Sequence, residues 1–376
     1  MRNLTSLLTS ALLITSTALR ADEPLVFISA FASGDKGAIH AFRFDTRTGA
    51  LKPLHRTTDI QNPFFLAISP DQRFLYSIHA ETFGGAKDES VAAYSIDGRS
   101  GHLQRLNQQS TRGTASCYLD VDATGKTVVV ANYSSGSVAS LPVRRDGSLG
   151  EGASFVQHTG SSVDPKRQKG PNAHSIVVSP DNRFALAADL GIDKILIYRL
   201  DPATAKLTPN EAQPFIRLSP GSGPRHLTFH PNGRRVYVIN ELKNTVTVFD
   251  YKTASAALTE RQTISTLPTD FTGKSYCADL KITRDGRFLY GTNRGHDSIA
   301  VFRIAEDGKL TLIAIEPSLG SGPQNLFISP DGQWLLCANM PGNNVIVFQI
   351  DGLTGKIKAV GEPISMPMPS CIRWLP

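Results

Sequence analysis

The sequence predicts an all-β chain folded as a seven-bladed β-propeller closed by pairing of N- and C-terminal strands, and three observations carry that prediction. One short pattern of strands and tight turns recurs at steps of about fifty residues. Its second half is present seven times but its first half only six times in full. The chain then ends on the missing first strand.

The pattern is clearest from Pro220 to Asp250, where three apolar runs are separated by turn residues. Leu227 and Phe229 alternate with Thr228, Pro231-Asn232-Gly233 breaks the chain, Val236 to Ile239 is β-branched and aromatic, and Val246, Val248 and Phe249 follow a polar loop. Runs of this length suit strands and are too short for helices. Equivalent turns fall at Asp71, Thr124, Asp181, Asn232, Asp285 and Asp331, in steps of 53, 57, 51, 53 and 46. The third strand recurs at Ile39, Val91, Val138, Ile195, Val246, Ile299 and Val345. Pro369 to Pro376 repeats Pro63 to Pro70 and supplies the first strand of a blade begun at the N-terminus. Closing the ring in this way removes free sheet edges.

Residues 1–21 predict a secretory signal peptide: Arg2 is the only charge ahead of Leu7-Leu8 and Ala11-Leu12-Leu13-Ile14, and Ser16-Thr17-Ala18 are small. Cleavage after Ala18 or Ala21 would leave residues 22–376 as one propeller domain, secreted or periplasmic. The apolar run is too short for a permanent membrane span. A retained anchor is the alternative. The net charge of +6, or +4 without Arg2 and Arg20, suits a small anionic molecule and is too diffuse for a nucleic-acid footprint. A monomer is expected.

Cys117, Cys277, Cys337 and Cys371 fall in different repeats without CxxC spacing, so buried free thiols are expected, with no zinc site and no cofactor. Two insertions interrupt the period. Val156 to Pro171 contains Lys166-Arg167-Gln168-Lys169, which reads as a solvated loop, and Thr82 to Glu89 is shorter.

In a propeller the innermost strand of each blade lines the channel, and the loops entering it and leaving the second strand share one face. The repeat places Phe64, Cys117, His174, Arg225, Ala278, Gln324 and Ser370 in an inner ring. Ala80, Tyr133, Leu190, Glu241, Arg294 and Met340 form a second. The ionisable members, His174, Arg225, Glu241 and Arg294, differ from their equivalents and cluster in neighbouring blades, which makes them the candidate catalytic residues. Each has a plainer reading too: Arg225 and Glu241 as an ion pair within one blade, His174 as a loop hydrogen-bonding group, Arg294 as a solvated arginine. Arg225 and Arg294, with Asn240, Asn293 and Gln324 beside them, are the expected substrate-binding residues. The asparagine slot shared by Asn132, Asn240, Asn293 and Asn339 also suits turn capping. His226 and His230 read as blade packing.

Gly223-Pro-Arg-His-Leu-Thr-Phe-His-Pro-Asn-Gly, Val238-Ile-Asn-Glu241 and the run from Cys277 to Arg294 resemble the seven-bladed lactonase family. That family includes propeller-type 6-phosphogluconolactonase and fungal 3-carboxy-cis,cis-muconate lactonizing enzyme. The resemblance implies a site of one histidine, two arginines and a glutamate, which fall by motif on His174, Arg225, Arg294 and Glu241. It implies metal-free hydrolysis of a sugar lactone. A carboxymuconate cyclase and a non-catalytic secreted binding module are the alternatives.

Overall fold

The structure is a computed structural model that describes residues 23–80, 84–85 and 87–376. The leader and part of the 82–89 insertion therefore lie outside the described residues. Seven antiparallel sheets follow one another around a ring. Six are continuous in sequence, at 66–110, 116–157, 173–217, 224–265, 276–317 and 323–365. In the seventh, Pro369–Leu375 pairs antiparallel with Leu25–Ala30, which pairs in turn with Ala38–Phe44 and then Leu51–Thr57. The expected closure is thus present.

Each blade runs outward from the channel, and burial follows that order. Second strands such as Phe184–Asp189 and Trp334–Asn339 are buried at every residue, because both of their faces meet neighbouring blades. Outer strands such as Leu103–Ser110 are largely exposed and polar. In the blade at 173–217 the outer strand is broken into Lys206–Pro209 and Phe215–Arg217, both paired with Lys194–Asp201.

The recurring turn has a simple chemistry. Ser69, Ser179 and Thr283 each donate a hydroxyl hydrogen bond of 2.6 Å to the carboxylate of Asp71, Asp181 and Asp285. That contact fixes the turn between first and second strands. Blades are joined by a second recurring contact, in which a buried tyrosine of one second strand donates to a glycine carbonyl of the next blade: Tyr76 to Gly147, Tyr237 to Gly308 and Tyr290 to Gly355. Gly147 has φ +84°, and a Cβ there would lie 2.2 Å from the Phe74 ring. Only glycine permits that approach.

The four cysteines are free and buried. Among the described residues no helix is long and apolar enough to cross a membrane.

Candidate active site

The inner-ring residues are turned toward the channel mouth by irregularities in the first strands. Pairing skips Cys117 between Ser116 and Tyr118, His174 between Ala173 and Ser175, Arg225 between Pro224 and His226, and Gln324 between Pro323 and Asn325. A bulge bends the strand and re-aims one side chain. The proline ahead of Arg225 and Gln324 starts its strand, where a missing N–H is tolerated.

Glu241 follows the strand Arg235–Asn240 and is the hub of the mouth. Its backbone N–H donates to Gly223 O at 2.7 Å, drawing together the two ends that carry Arg225 and Glu241. Gly223 has φ +64°, and a Cβ would lie 2.5 Å from Leu242 Cγ, which explains the glycine in the motif. The Glu241 carboxylate accepts from Arg225 Nε at 3.1 Å and meets Arg294 Nη2 at 2.9 Å, both through Oε2. Its Oε1 accepts from Arg167 Nη2 at 2.6 Å. His174 Nε2 is 3.7 Å from Oε2. Four groups from three blades and one inter-blade loop therefore surround one carboxylate.

The protonation states follow from burial and charge. Burial alone would raise the Glu241 carboxyl, but Arg294, Arg225 and Arg167 outweigh it and hold the group below its ordinary range. Glu241 is ionised and a weak base. Burial, then the charge on Arg225, pushes His174 well below the usual imidazole value, so it is neutral at pH 7 and keeps a lone pair. The separation of 3.7 Å exceeds a direct hydrogen bond. It is short enough for Glu241 to stabilise an imidazolium once His174 takes a proton. Burial and the nearby Arg294 lower Arg225 to about 10, which still leaves it charged. Three guanidinium groups face one carboxylate, so positive charge is in excess at the mouth. Burial raises the Cys117 thiol, which lies 3.5 Å from His174 Nδ1 and stays protonated.

A second tier lies beneath. Arg225 Nη1 is 3.0 Å from His226 Nε2, and His226 Nδ1 is 2.9 Å from Asp279 Oδ1. Asp279 also accepts from Lys281 Nζ, Asn325 Nδ2 and the Leu326 backbone N–H. Since the carboxylate can only accept, Nδ1 of His226 carries the proton and Nε2 accepts from Arg225. Arg225 Nη1 also donates to Ala278 O. The guanidinium is thus fixed on both sides before any ligand arrives.

His174, Arg225, Glu241 and Arg294 meet at one mouth, as the ring argument expected. Gln324 belongs with them: its Oε1 lies 3.4 Å from Arg294 Nη1, and with Arg294, Lys274, Tyr276 and Met340 it lines a cleft of about 410 Å³. Asn240 and Asn293 do not face the cleft. Both are fully buried, and their amides donate to nearby backbone and hydroxyl groups, Asn240 to Thr245 and Thr247 of its own blade, Asn293 to Ser298 of its own blade and to Thr266 O in the segment before it. They brace the loop ends, which corrects their expected place among substrate-binding residues.

The 156–171 insertion also departs from expectation. Lys166 and Lys169 are exposed, but Arg167 turns inward to Glu241 and to the Tyr133 hydroxyl at 3.2 Å. Charge spacing in a loop gave no sign of this. His226, expected as blade packing, also reaches Asp279 of the neighbouring blade, since one histidine beside an arginine motif says nothing about the blade it faces. A larger cleft of about 690 Å³ is lined by Asp59, His79, Glu89 and Arg105, gathers charge of both signs, and includes none of His174, Arg225, Glu241 or Arg294 in its lining. Among the described residues no group of three or more His, Cys, Asp or Glu side chains is placed to hold a metal ion.

A closed ring of seven blades, six of four strands and one of five, with an arginine-rich polar mouth defines a propeller of the enzyme or small-molecule-binding kind. Residues 25–374 match the family described as Lactonase, 7-bladed beta-propeller, and the chain belongs to that family. It is 35% identical over 93% of its length to 6-phosphogluconolactonase from Bacillus subtilis, covering 97% of that protein. It is 33% identical over 90% of its length to a protein of the same name from Formosa agariphila, covering 96% of it. Among solved structures, the periplasmic gluconolactonase of Pseudomonas aeruginosa superposes with a TM-score of 0.88 at 34% identity, covering 94% of this chain and 99% of that one. A structure described as a putative 6-phosphogluconolactonase from Bacteroides fragilis gives 0.88 at 33% identity, covering 96% and 99%.

Proposed function

We propose that this propeller hydrolyses a sugar lactone of the gluconolactone or 6-phosphogluconolactone type, with arginines supplying the positive charge that the reaction needs. The observation that carries this reading is the excess of guanidinium charge around Glu241 beside a neutral His174.

When water attacks a lactone carbonyl, negative charge develops on the carbonyl oxygen. Pre-placed donors stabilise it most strongly in a partly desolvated site. Arg294 is the candidate for this contact, because its side chain is 27% exposed and borders the cleft, whereas Arg225 is 2% exposed. Arg225 then acts by orienting Glu241. His174 takes the proton from the attacking water and returns it to the ring oxygen as the C–O bond breaks, giving the open hydroxy acid. Glu241, 3.7 Å away, stabilises the transient imidazolium. The surroundings weaken both His174 and Glu241 as bases, and His174 takes the role here because its neutral ring keeps a lone pair while the Glu241 oxygens are engaged by three arginines.

Hydrolysis of gluconolactone and 6-phosphogluconolactone by the purified chain, above the spontaneous rate and unchanged by a chelator, is the expected result. Activity only on carboxymuconate would favour the cyclase reading, and tight lactone binding without turnover would favour a binding module. The leader sequence and the periplasmic location named for the Pseudomonas aeruginosa neighbour support export of this chain. Fractionation of cells expressing the full sequence tests it.

A further inference from the structure

Arg167 is presented by its loop in a fixed way. Gln168 is fully buried and donates its side-chain amide to Leu190 O at 2.8 Å, while its backbone N–H donates to Asp164 O at 2.9 Å. The Asp164 carboxylate in turn accepts from the Lys166 and Arg167 backbone N–H groups. The Arg167 guanidinium places its carbon 5.5 Å from the centroid of Tyr276, and Lys274 Nζ is 5.4 Å from the same ring. Both hydrogen bonds of Arg167 use Nη2, to Glu241 and Tyr133, so among the described residues the Nε and Nη1 donors have no partner. The side chain is 32% exposed. Lys274 is exposed and makes no ion pair among the described residues. It lines the same cleft as Arg294 and Gln324.

Two cations at one aromatic ring, with the Glu241 carboxylate already shared by three arginines and the Asp164 carboxylate accepting from backbone N–H groups, leave donor capacity for an anion. Arg167 keeps three N–H donors, one on Nε and two on Nη1, for single charge-assisted contacts to phosphate or carboxylate oxygens.

We propose that Arg167 and Lys274, gathered at the Tyr276 ring, form a subsite for a second negative group on the substrate, so that the mouth prefers a lactone bearing a phosphate or carboxylate to an uncharged one. This deepens the lactonase reading and rests on it for the identity of the ring. Charge preference can nevertheless be measured without turnover.

The test is titration calorimetry with three open-chain acids that are not hydrolysed: gluconate, gluconate 6-phosphate and glucarate. The unmodified chain is expected to bind at least one of the doubly functional acids about tenfold or more tightly than gluconate, as charge-assisted contacts would give. Preference for gluconate 6-phosphate alone assigns the subsite to phosphate, and preference for glucarate as well assigns it to anions generally. Arg167→Gln and Lys274→Gln should each lower the ratio, and the double variant should abolish it. Arg167→Lys, which keeps the charge, should recover part of it. A ratio near one in the unmodified chain, or one that survives in the double variant, overturns the proposal. If the ratio behaves as expected while gluconolactone is not turned over, the subsite stands and the lactonase reading falls.

Discussion

His226 Nδ1 sits 2.9 Å from Asp279 Oδ1, and that contact determines which edge of the imidazole meets Arg225. With the proton held toward Asp279, the lone pair faces the guanidinium. The arginine that orients Glu241 is thereby set from below by a carboxylate in the neighbouring blade.

Asp279→Asn should therefore act at a distance. An amide can present its NH₂ to Nδ1, reverse the tautomer and turn a second N–H against Arg225. Displacement of a positioned charge by about 1 Å can cost on the order of 10²-fold in rate. A fall in kcat larger than any rise in KM is expected, with a stability loss of roughly 1–3 kcal/mol from the unsatisfied groups. Denaturant unfolding and initial rates check the two effects separately.

Stability should fall as pH is lowered from about 6.5. His226 is lowered to about 3, chiefly by burial and then by Arg225, and His174 is lowered in the same direction. Between those values and the ordinary histidine value, the unfolded chain binds protons that the folded chain does not, so acid favours unfolding. Glu241 adds to this below its usual carboxyl value, because its depressed group stays ionised in the folded state. Urea midpoints measured from pH 4 to 8 should rise to a plateau near 7. Burial raises Asp120 to about 6 and Glu89 in the same direction, which acts oppositely, so a midpoint that climbs on acidification even in Asp120→Asn would contradict the neutral, buried state of both histidines.

The two arginines should separate in behaviour. Arg294→Ala removes a partly exposed group at the cleft and should leave the fold intact while lowering kcat/KM by about 10²- to 10³-fold. Arg225→Ala removes the fully buried one of the three arginines at Glu241 and leaves His226 Nε2 and Ala278 O without that donor. Breaking a buried pair from one side costs roughly 3–5 kcal/mol, so loss of soluble protein is expected. Expression yield and circular dichroism distinguish the pair.

Gly147→Ala tests the joint between blades. Positive φ and a contact with the Phe74 ring both oppose the added methyl. Overpacking of this kind costs about 1–3 kcal/mol. The melting temperature should drop with kcat little changed, since His174, Arg225, Glu241 and Arg294 are on other blades.

The ring of blades was legible because the turn chemistry repeats: Ser69, Ser179 and Thr283 reach the following aspartate in the same way, and Pro369 to Pro376 completes a pattern begun at residue 25. The phase of the repeat also located His174, Arg225, Glu241, Arg294 and Gln324, since bulges at equivalent places turn several of those side chains to one mouth. Arg167 escaped because it sits in the insertion, where the repeat carries no information, and a basic run in a loop ordinarily faces water. Asn240 and Asn293 lie at the ends of the second strands beside the site, but with their side chains turned inward. One residue before the outward-facing ring, a side chain in a strand points the other way.

The most direct measurement is the initial rate of gluconolactone hydrolysis, corrected for the spontaneous reaction, by the unmodified chain and by His174→Ala and Glu241→Gln. Loss of a general base should lower kcat by about 10²- to 10⁴-fold in His174→Ala, and Glu241→Gln should fall as well because its arginines lose their anchor. Full turnover by both variants would contradict the assignment of catalysis to this mouth.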